Sequence, residues 1–295
     1  MSTFVLLTIT GLGLGAMYFL IASGLSLIYG LMGVLNFAHG FFLTVGAYGT
    51  WWMELHLTGI GSIWLRYMIG AAFGIALGAL VAGVVELVLI RPLYQRHIEQ
   101  VLVTVGLAIA GTALVQAIWG ADQRAFVTPP WLNETTDVLG AKVPNDRWLE
   151  IATAAVVFVL LQLFLRRTRY GLIIRAGVEN RSMVQALGID VRKAFTLVFA
   201  IGGVAAALAG ALSNVYFGSV TPERGTSLLI FAFIVVVIGG LGSLGGSAVA
   251  SVVVGLSQQY ANYYGSTGMG EIVVILLLGV VLLVRPRGLA GAVAT

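Results

Sequence analysis

The sequence predicts an all-α membrane protein, a polytopic bundle in which about eight to ten helices cross the bilayer. Of its 295 residues, 59% are hydrophobic and 9% are charged, whereas an ordinary soluble domain has about 25% charged residues. A water-soluble fold of this length could not bury so much apolar surface. Because the apolar stretches fill most of the chain, a single transmembrane domain over residues 1–295 is expected.

The spans follow from apolar stretches separated by breaks that carry charges, glycine or proline. A crossing helix needs about 20 apolar residues. The candidate spans are 4–31, 36–55, 63–90, 101–119, 148–165, 194–215, 227–241, 247–263 and 271–284. Between Gly30 and Asn36 the chain can turn back, re-enter the membrane or only kink, because Gly and Asn weaken a helix without ending it.

Basic residues cluster in three breaks, and cytoplasmic connections of membrane proteins carry an excess of Lys and Arg. The residues concerned are Arg91, Arg96, Arg166, Arg167, Arg169, Arg175, Arg181, Arg192, Lys193, Arg285 and Arg287. All three breaks fall on one side when the spans are counted in order. We expect that side to be cytoplasmic, with the N-terminus outside and the C-terminus inside.

Two connections are longer than a tight turn. The outer one, 120–147, contains proline, tryptophan and mixed charges, which is typical of an ordered cap at the membrane surface. The inner one, 166–193, has apolar residues at a spacing of three to four, which predicts one or two short amphipathic helices ending at Gly188. Val178, Met183, Val184 and Leu187 form the apolar face that we expect to dock on a partner.

Nothing in the sequence supports catalysis by this chain. Cysteine is absent, and the three histidines form no pair at metal-ligand spacing, so neither catalytic residues nor a metal or cofactor site is predicted. The stretch from Gly240 to Gly245 fits a dinucleotide fingerprint only formally, and a helix break or close helix packing is expected there and at Gly246. No Gly-x-x-x-x-Gly-Lys-Ser/Thr loop is present, so energy for any transport must come from a partner or a gradient.

Charge inside a span is costly, so an ionisable residue there is a functional candidate, and His39 and Glu86 are the two that we single out. His39 lies near the cytoplasmic end of a span, where it either bonds to the carbonyl of a neighbouring helix or takes part in gating. Glu86 lies five residues before Arg91, which favours a snorkelling or ion-paired carboxylate over a proton carrier.

Five motifs, taken in their order along the chain, resemble the permease subunits of branched-chain amino acid ABC importers. The first is Asn36-Phe37-Ala38-His39-Gly40, and the second combines Glu86 with Arg91-Pro92-Leu93. The others are the inner segment around Gly171, Arg175, Asn180, Ala186, Leu187 and Gly188, the turn Gly239-Gly240-Leu241-Gly242-Ser243, and the terminal Arg285-Pro286-Arg287-Gly288-Leu289. The resemblance covers essentially the whole chain.

The resemblance implies a type II-like ABC importer permease of the shorter, H-type class, in a bacterial inner membrane. Its protein partners would be a second and usually different permease, two cytoplasmic ATPases that bind ATP and Mg, and an extracytoplasmic substrate-binding protein. The chain would also contact membrane lipid, and no nucleic acid is expected among its partners. It further implies that the loop 166–193 docks on an ATPase. Relatives of this family carry urea, short amides or aromatic acids, and these motifs do not separate them.

The motifs of the resemblance, together with the spacing of apolar and small residues, give two groups of candidate functional residues. The ATPase-coupling residues are Gly171, Arg175, Glu179, Asn180, Met183, Leu187 and Gly188. The pathway or structural-motif residues are Asn36, His39, Glu86, Gly240, Gly242 and Gly246. The other functions that the sequence leaves open are a secondary transporter driven by protons or sodium, a passive channel and a membrane enzyme.

Overall fold

A computed structural model describes residues 2–33, 35–94, 96–188 and 191–290, except for the side chains at 178, 179, 181, 182, 185 and 191. The helices in this part of the chain are α1 Ser2–Met32, α2 His39–His56, α3 Ile63–Val85, α4 His97–Trp119, α5 Asn145–Arg167, α6 Arg169–Ala186, α7 Val191–Phe217, α8 Arg224–Gly239, α9 Leu244–Tyr264 and α10 Met269–Val284. Each predicted span coincides with one of them, and α6 lies in the predicted inner connection. The predicted helical bundle is therefore confirmed.

Few of these helices are complete spans by length and composition. In the described chain, α1, α3 with its extension to Leu93, α4, α5 and α7 are long and apolar enough to cross a membrane. α8 and α9 are joined by a bend of 119°, as in a broken span or a re-entrant loop, and the pair is a sixth candidate only if it counts as one span. α2, α8 and α10 have 18, 16 and 16 residues, so each is about 24–27 Å long. The hydrocarbon core is about 30 Å thick. The number of full-length spans is thus below the eight to ten predicted, because several helices are partial spans.

Close backbone contacts between small residues hold the bundle together. A Cβ atom built on Gly74 of α3 would lie 2.4 Å from the carbonyl oxygen of Gly46 in α2, and one on Gly255 of α9 would lie 2.4 Å from the amide nitrogen of Gly15 in α1. Such contacts are possible only where the side chain is a hydrogen atom. The small residues of α3 therefore pack directly against α2, and α1 and α7 form the buried centre of the bundle.

Two of the partial spans begin inside the bundle. The first residue of α2, His39, lies beside Ile21, and α1 continues for eleven residues beyond Ile21 to Met32, which is about 16 Å. α8 begins against α2, since the Thr44 hydroxyl donates to the carbonyl oxygen of Pro222 at 3.3 Å. His39 is therefore at one end of its helix, as predicted, but that end is deep in the bundle rather than near the membrane surface.

The long connection between α4 and α5, predicted to be an ordered cap, is ordered and adds short strands to the all-α fold. β1 Arg124–Ala125 pairs with β4 Ser219–Val220, and β2 Thr135–Val138 pairs with β3 Ala141–Pro144, both antiparallel. Leu139 and Gly140 have φ values of 52° and 79°, the pattern of a tight hairpin turn. Because β1 follows α4 and β4 follows α7, these two helices end on the same side of the bundle.

Candidate functional site

α6 is two short helices rather than one. The backbone of Asn180 is non-helical, with φ −152° and ψ 90°, and its side-chain oxygen accepts a hydrogen bond from the amide of Met183 at 3.0 Å. Asn180 therefore breaks the first helix and caps the second. α6 ends at Ala186, and Gly188 has φ 77°, which a residue with a side chain rarely adopts. The predicted pair of short helices and the stop at Gly188 are both confirmed.

The second half of α6 presents an apolar pair. Met183 and Leu187 are 61% and 69% exposed. Leu187 directly follows the last residue of α6, and its amide donates to the carbonyl oxygen of Met183 at 3.1 Å, so the two side chains share one helical face. Val184, which we expected on the same face, is instead 4% exposed and packs into the chain's own core. The expected docking face therefore consists of Met183 and Leu187, and Val178 lies outside the described side chains.

The first half of α6 is held against the bundle by glycines. A Cβ on Gly171 would lie 2.2 Å from the carbonyl oxygen of Phe164 in α5, and one on Gly177 would touch Leu31 of α1 at 3.1 Å. Arg175 is exposed. The side chain of Glu179 lies outside the described part of the chain, so its expected role stays a prediction. α6 is thus anchored to the bundle at one end and exposed at the other.

The glycine-rich segment after α8 is a tight turn that packs against two other segments. Gly240 and Gly242 have φ values of 99° and 83°, and a Cβ on Gly242 would lie 2.9 Å from the Cα of Gly30 at the end of α1. The C-terminal segment covers the turn, because the amides of Leu289 and Ala290 donate to the carbonyls of Ile238 and Gly239 at 2.8 and 3.1 Å. The predicted helix break is confirmed.

Gly246 is the most crowded position of this turn. A Cβ there would lie 1.9 Å from the carbonyl oxygen of Gly239, whereas nothing lies within 4 Å of a Cβ on Gly245. We expect Gly246→Ala to destabilise the protein by about 1–3 kcal/mol, because the backbone of α8 must move. Gly245→Ala is the matched control and should leave stability unchanged or slightly higher. Thermal unfolding in detergent measures both, and equal melting temperatures for the two variants would contradict this packing.

His39 and Glu86, the two ionisable candidates singled out from the predicted spans, are both buried. The Nε2 atom of His39 is 3.1 Å from the carbonyl oxygen of Ile21 in α1. The expected hydrogen bond between this histidine and a neighbouring helix is therefore present. Glu86 accepts a hydrogen bond from the hydroxyl of Tyr94 and lies in a π-helical turn, Glu86–Ile90. Glu86 is fully buried, and among the described residues it makes no ion pair, so neither the expected snorkelling carboxylate nor the expected ion pair is present.

An open groove with a mixed apolar and polar lining lies on the side of the bundle between α4 and the start of α8. We call it the α8 groove; its volume is about 410 Å³, and its lining includes Ala108, Thr112, Gln116, Glu223, Thr226 and Ser227. It reaches from the middle of α4 toward that helix's outer end. Glu223, Thr226 and Ser227 are exposed. Exposed polar groups at this depth face water or a partner subunit rather than lipid.

An apolar cavity continues from the α8 groove toward the end of α1. This cavity, the Asn36 recess, has a volume of about 160 Å³ and is lined by Leu25, Asn36, Phe37, Thr226, Ile230 and Phe233, among others. Thr226 lines both cavities. The two cavities are therefore adjacent along the depth of the bundle, and together they are the candidate pathway. The α8 groove was not predicted from the sequence, because the sequence does not show that Glu223 lies beside α4.

A buried ionic cluster at the outer end of α5 was also missed. The Nη1 atom of Arg147 is 3.3 Å from Asp146 and 3.4 Å from Glu150, and its guanidinium lies 3.5 Å above the ring of Tyr216. Gly13 of α1 makes room for the Arg147 side chain. The predicted span began at 148, but α5 begins at Asn145, so these charges lie in its first turns. Within the described residues no group of His, Asp and Glu could hold a metal ion.

The bundle has the fold of an ABC transporter permease. The described chain aligns with a solved structure of a metal-chelate type ABC transporter in an inward-facing conformation, with a TM-score of 0.51 over 95% of this chain and 85% of that one. The sequence identity is 17%, so this comparison shows the fold alone.

The sequence comparisons define the family. A family model described as the permease component of the branched-chain amino acid transport system matches residues 7–284. The chain is 29% identical to the high-affinity branched-chain amino acid transport system permease protein LivH of Escherichia coli K12, over 95% of this chain and 93% of that protein. It is 30% identical to the corresponding protein BraD of Pseudomonas aeruginosa, over 96% and 94%. The chain belongs to the branched-chain amino acid transport permease family.

Proposed function

We propose that this chain is a permease subunit of an ATP-driven importer, and that it forms, with a second permease, the pathway for branched-chain or other hydrophobic amino acids. The observation that carries the proposal is the family match over nearly the whole chain. The α8 groove supports it, because an exposed polar surface at this depth needs a second subunit to enclose it. The family resemblance keeps urea, short amides and aromatic acids as alternative substrates.

The energy for transport comes from separate cytoplasmic ATPase subunits that bind ATP and Mg. α6 is the part of this chain suited to receive their motion, since it is anchored by Gly171 and exposes Met183 and Leu187. ATPases that bind one permease conformation more tightly than the other shift the population toward it. An extracytoplasmic binding protein delivers the substrate to the side of the bundle that carries the cap.

Orientation follows from the basic connections, which put α6 in the cytoplasm of a bacterial inner membrane and the cap outside. The chain contains no cysteine, so single cysteines at the exposed positions Thr135 and Met183 report on the two sides without background. We expect an impermeant maleimide to label Thr135→Cys in intact cells and Met183→Cys only after permeabilisation. Labelling of both variants in intact cells would contradict this topology.

Purification of the tagged chain from its native membrane tests the proposed assembly. We expect one ATPase subunit to co-purify with each permease subunit in a fixed ratio, together with a second permease. A chain that purifies alone from mild detergent and still transports would favour a secondary transporter or a channel. Competition between labelled leucine and unlabelled urea, amides and aromatic acids then ranks the substrates.

A further inference from the structure

Two helices begin in contact with each other near the middle of the bundle. A Cβ built on Gly225, in the first turn of α8, would lie 2.0 Å from the carbonyl oxygen of Gly40 in the first turn of α2. Both helix N-termini therefore meet here, and each carries a partial positive charge. In transporters, helices broken inside the membrane can present such ends to the anionic group of a substrate.

Hydrogen-bond donors at this point lack acceptors. Among the described residues, the amides of Gly225 and Thr226 have no partner, as is usual in the first turn of a helix. Asn36 supplies the independent observation, because it lines the recess, is 2% exposed, and its Nδ2 atom has no partner. Its Oδ1 atom accepts from the amide of Ala38 at 3.1 Å, which leaves Nδ2 as a donor. A buried donor without an acceptor is unfavourable unless a ligand supplies one.

A carboxylate and an apolar cavity flank these donors. Glu223 is the residue immediately before α8, and its exposed side chain lines the α8 groove, where the Gln116 amide donates to it at 3.4 Å. On the other side, Phe37, Ile230 and Phe233 line the Asn36 recess. Thr226 lines both cavities, so the unpartnered donors, the Glu223 carboxylate and the apolar recess lie within about one helical turn of α8.

We propose that this place is a binding site for the translocated substrate, and that it recognises an α-amino acid in its zwitterionic form. The substrate carboxylate accepts hydrogen bonds from the amides of Gly225 and Thr226 and from Nδ2 of Asn36. The ammonium group pairs with Glu223, and the apolar side chain enters the Asn36 recess. This inference rests on the proposed function and narrows the substrate class.

The size of the recess agrees with this class of ligand. Its volume is about 160 Å³, and an apolar cavity of about 150 Å³ is known to hold benzene. A branched side chain of three or four carbon atoms is smaller than benzene and therefore fits in the recess. Urea and short amides lack both charged groups and the apolar side chain, so they would leave the site largely unoccupied.

The test uses the complete transporter in proteoliposomes, with saturating binding protein loaded with leucine or alanine. Glu223→Gln removes the partner of the ammonium group and keeps the side-chain shape. We expect leucine uptake to fall about tenfold while binding-protein-stimulated ATP hydrolysis stays at the wild-type rate. Glu99→Gln, the same change at an exposed carboxylate of α4, should leave uptake unchanged.

Two further variants test the other contacts. Asn36→Asp replaces the donor by a like charge and should lower leucine uptake about tenfold or more. Ile230→Trp fills the recess from a position that is 58% exposed, and it should lower the ratio of leucine to alanine uptake about tenfold. If Asn36→Asp does not assemble, the two variants at exposed positions decide the question.

The outcomes separate this site from the proposed function. A wild-type complex that shows no ATP-dependent uptake contradicts the proposed function itself. If the wild-type complex transports leucine but Glu223→Gln and Ile230→Trp match it in rate and in the leucine-to-alanine ratio, the zwitterion site is overturned while the permease function stands. Uptake that falls together with stimulated ATP hydrolysis would indicate a structural role and would also overturn the site.

Discussion

Replacing Met183 and Leu187 together with Asp is expected to abolish both substrate uptake and the stimulation of ATP hydrolysis by the binding protein. These side chains are 61% and 69% exposed on one face of α6. Burying two such side chains in a partner contributes about 3–6 kcal/mol, which exceeds a 100-fold change in docking. The variant should still fold and reach the membrane, because neither side chain is in the core of the chain.

A matched control distinguishes a loss of docking on the partner from a loss of helical structure in α6. Met183→Leu combined with Leu187→Met keeps the apolar surface and the helix propensity, so uptake should stay within about twofold of wild type. Thermal unfolding and membrane yield should be equal for both double variants. Wild-type uptake by the Asp variant would show that coupling runs through another segment, and residues 94–100 would be the next to examine.

Replacing Arg147 with Ala is expected to cause the largest loss of stability. Its side chain is 13% exposed, and its partners Asp146 and Glu150 are 9% and 2% exposed. Without the guanidinium, two carboxylates remain buried with no cation, and breaking a buried pair in this way costs about 3–5 kcal/mol. The contact with the ring of Tyr216 is lost as well. We expect little folded protein in the membrane and a lower melting temperature in detergent.

Two further variants test whether the loss of stability comes from the buried charges of this cluster. Lys142→Ala removes an exposed cation on the same side of the bundle and should change stability by less than about 0.5 kcal/mol. Adding Glu150→Gln to Arg147→Ala removes one of the stranded carboxylates and should recover part of the loss. A melting temperature of Arg147→Ala equal to that of wild type would mean that water or lipid headgroups already neutralise the cluster.

The sequence was sufficient where a single local property determines the structure. Apolar length placed the helices, and the spacing of apolar residues predicted the two short helices of α6 because their period is that of a helix. Gly188 was predictable because a left-handed residue after a helix favours glycine, and its φ is 77°. Gly240 and Gly242 gave a helix break for the same reason.

The features that the sequence did not reveal depend on contacts between distant segments. The sequences of α2 and α8 have the apolar composition of ordinary spans. Composition does not show that a helix begins in the middle of the bundle. Glu223 was counted as a connection charge, although it lines the α8 groove through the packing of α4 against α8. The Arg147 cluster was missed because α5 begins three residues before the predicted span, which contains Glu150 but leaves out its partners Asp146 and Arg147.

Transport by the reconstituted complex tests the central claim most directly. The permease, its partner permease and the ATPase subunits are placed in proteoliposomes with the binding protein outside, and uptake of labelled leucine is measured with ATP inside. We predict uptake that requires ATP, Mg and the binding protein and that stops when ATP is replaced by a non-hydrolysable analogue. Uptake by this chain alone, driven by a proton or sodium gradient or running downhill without ATP, would contradict the account.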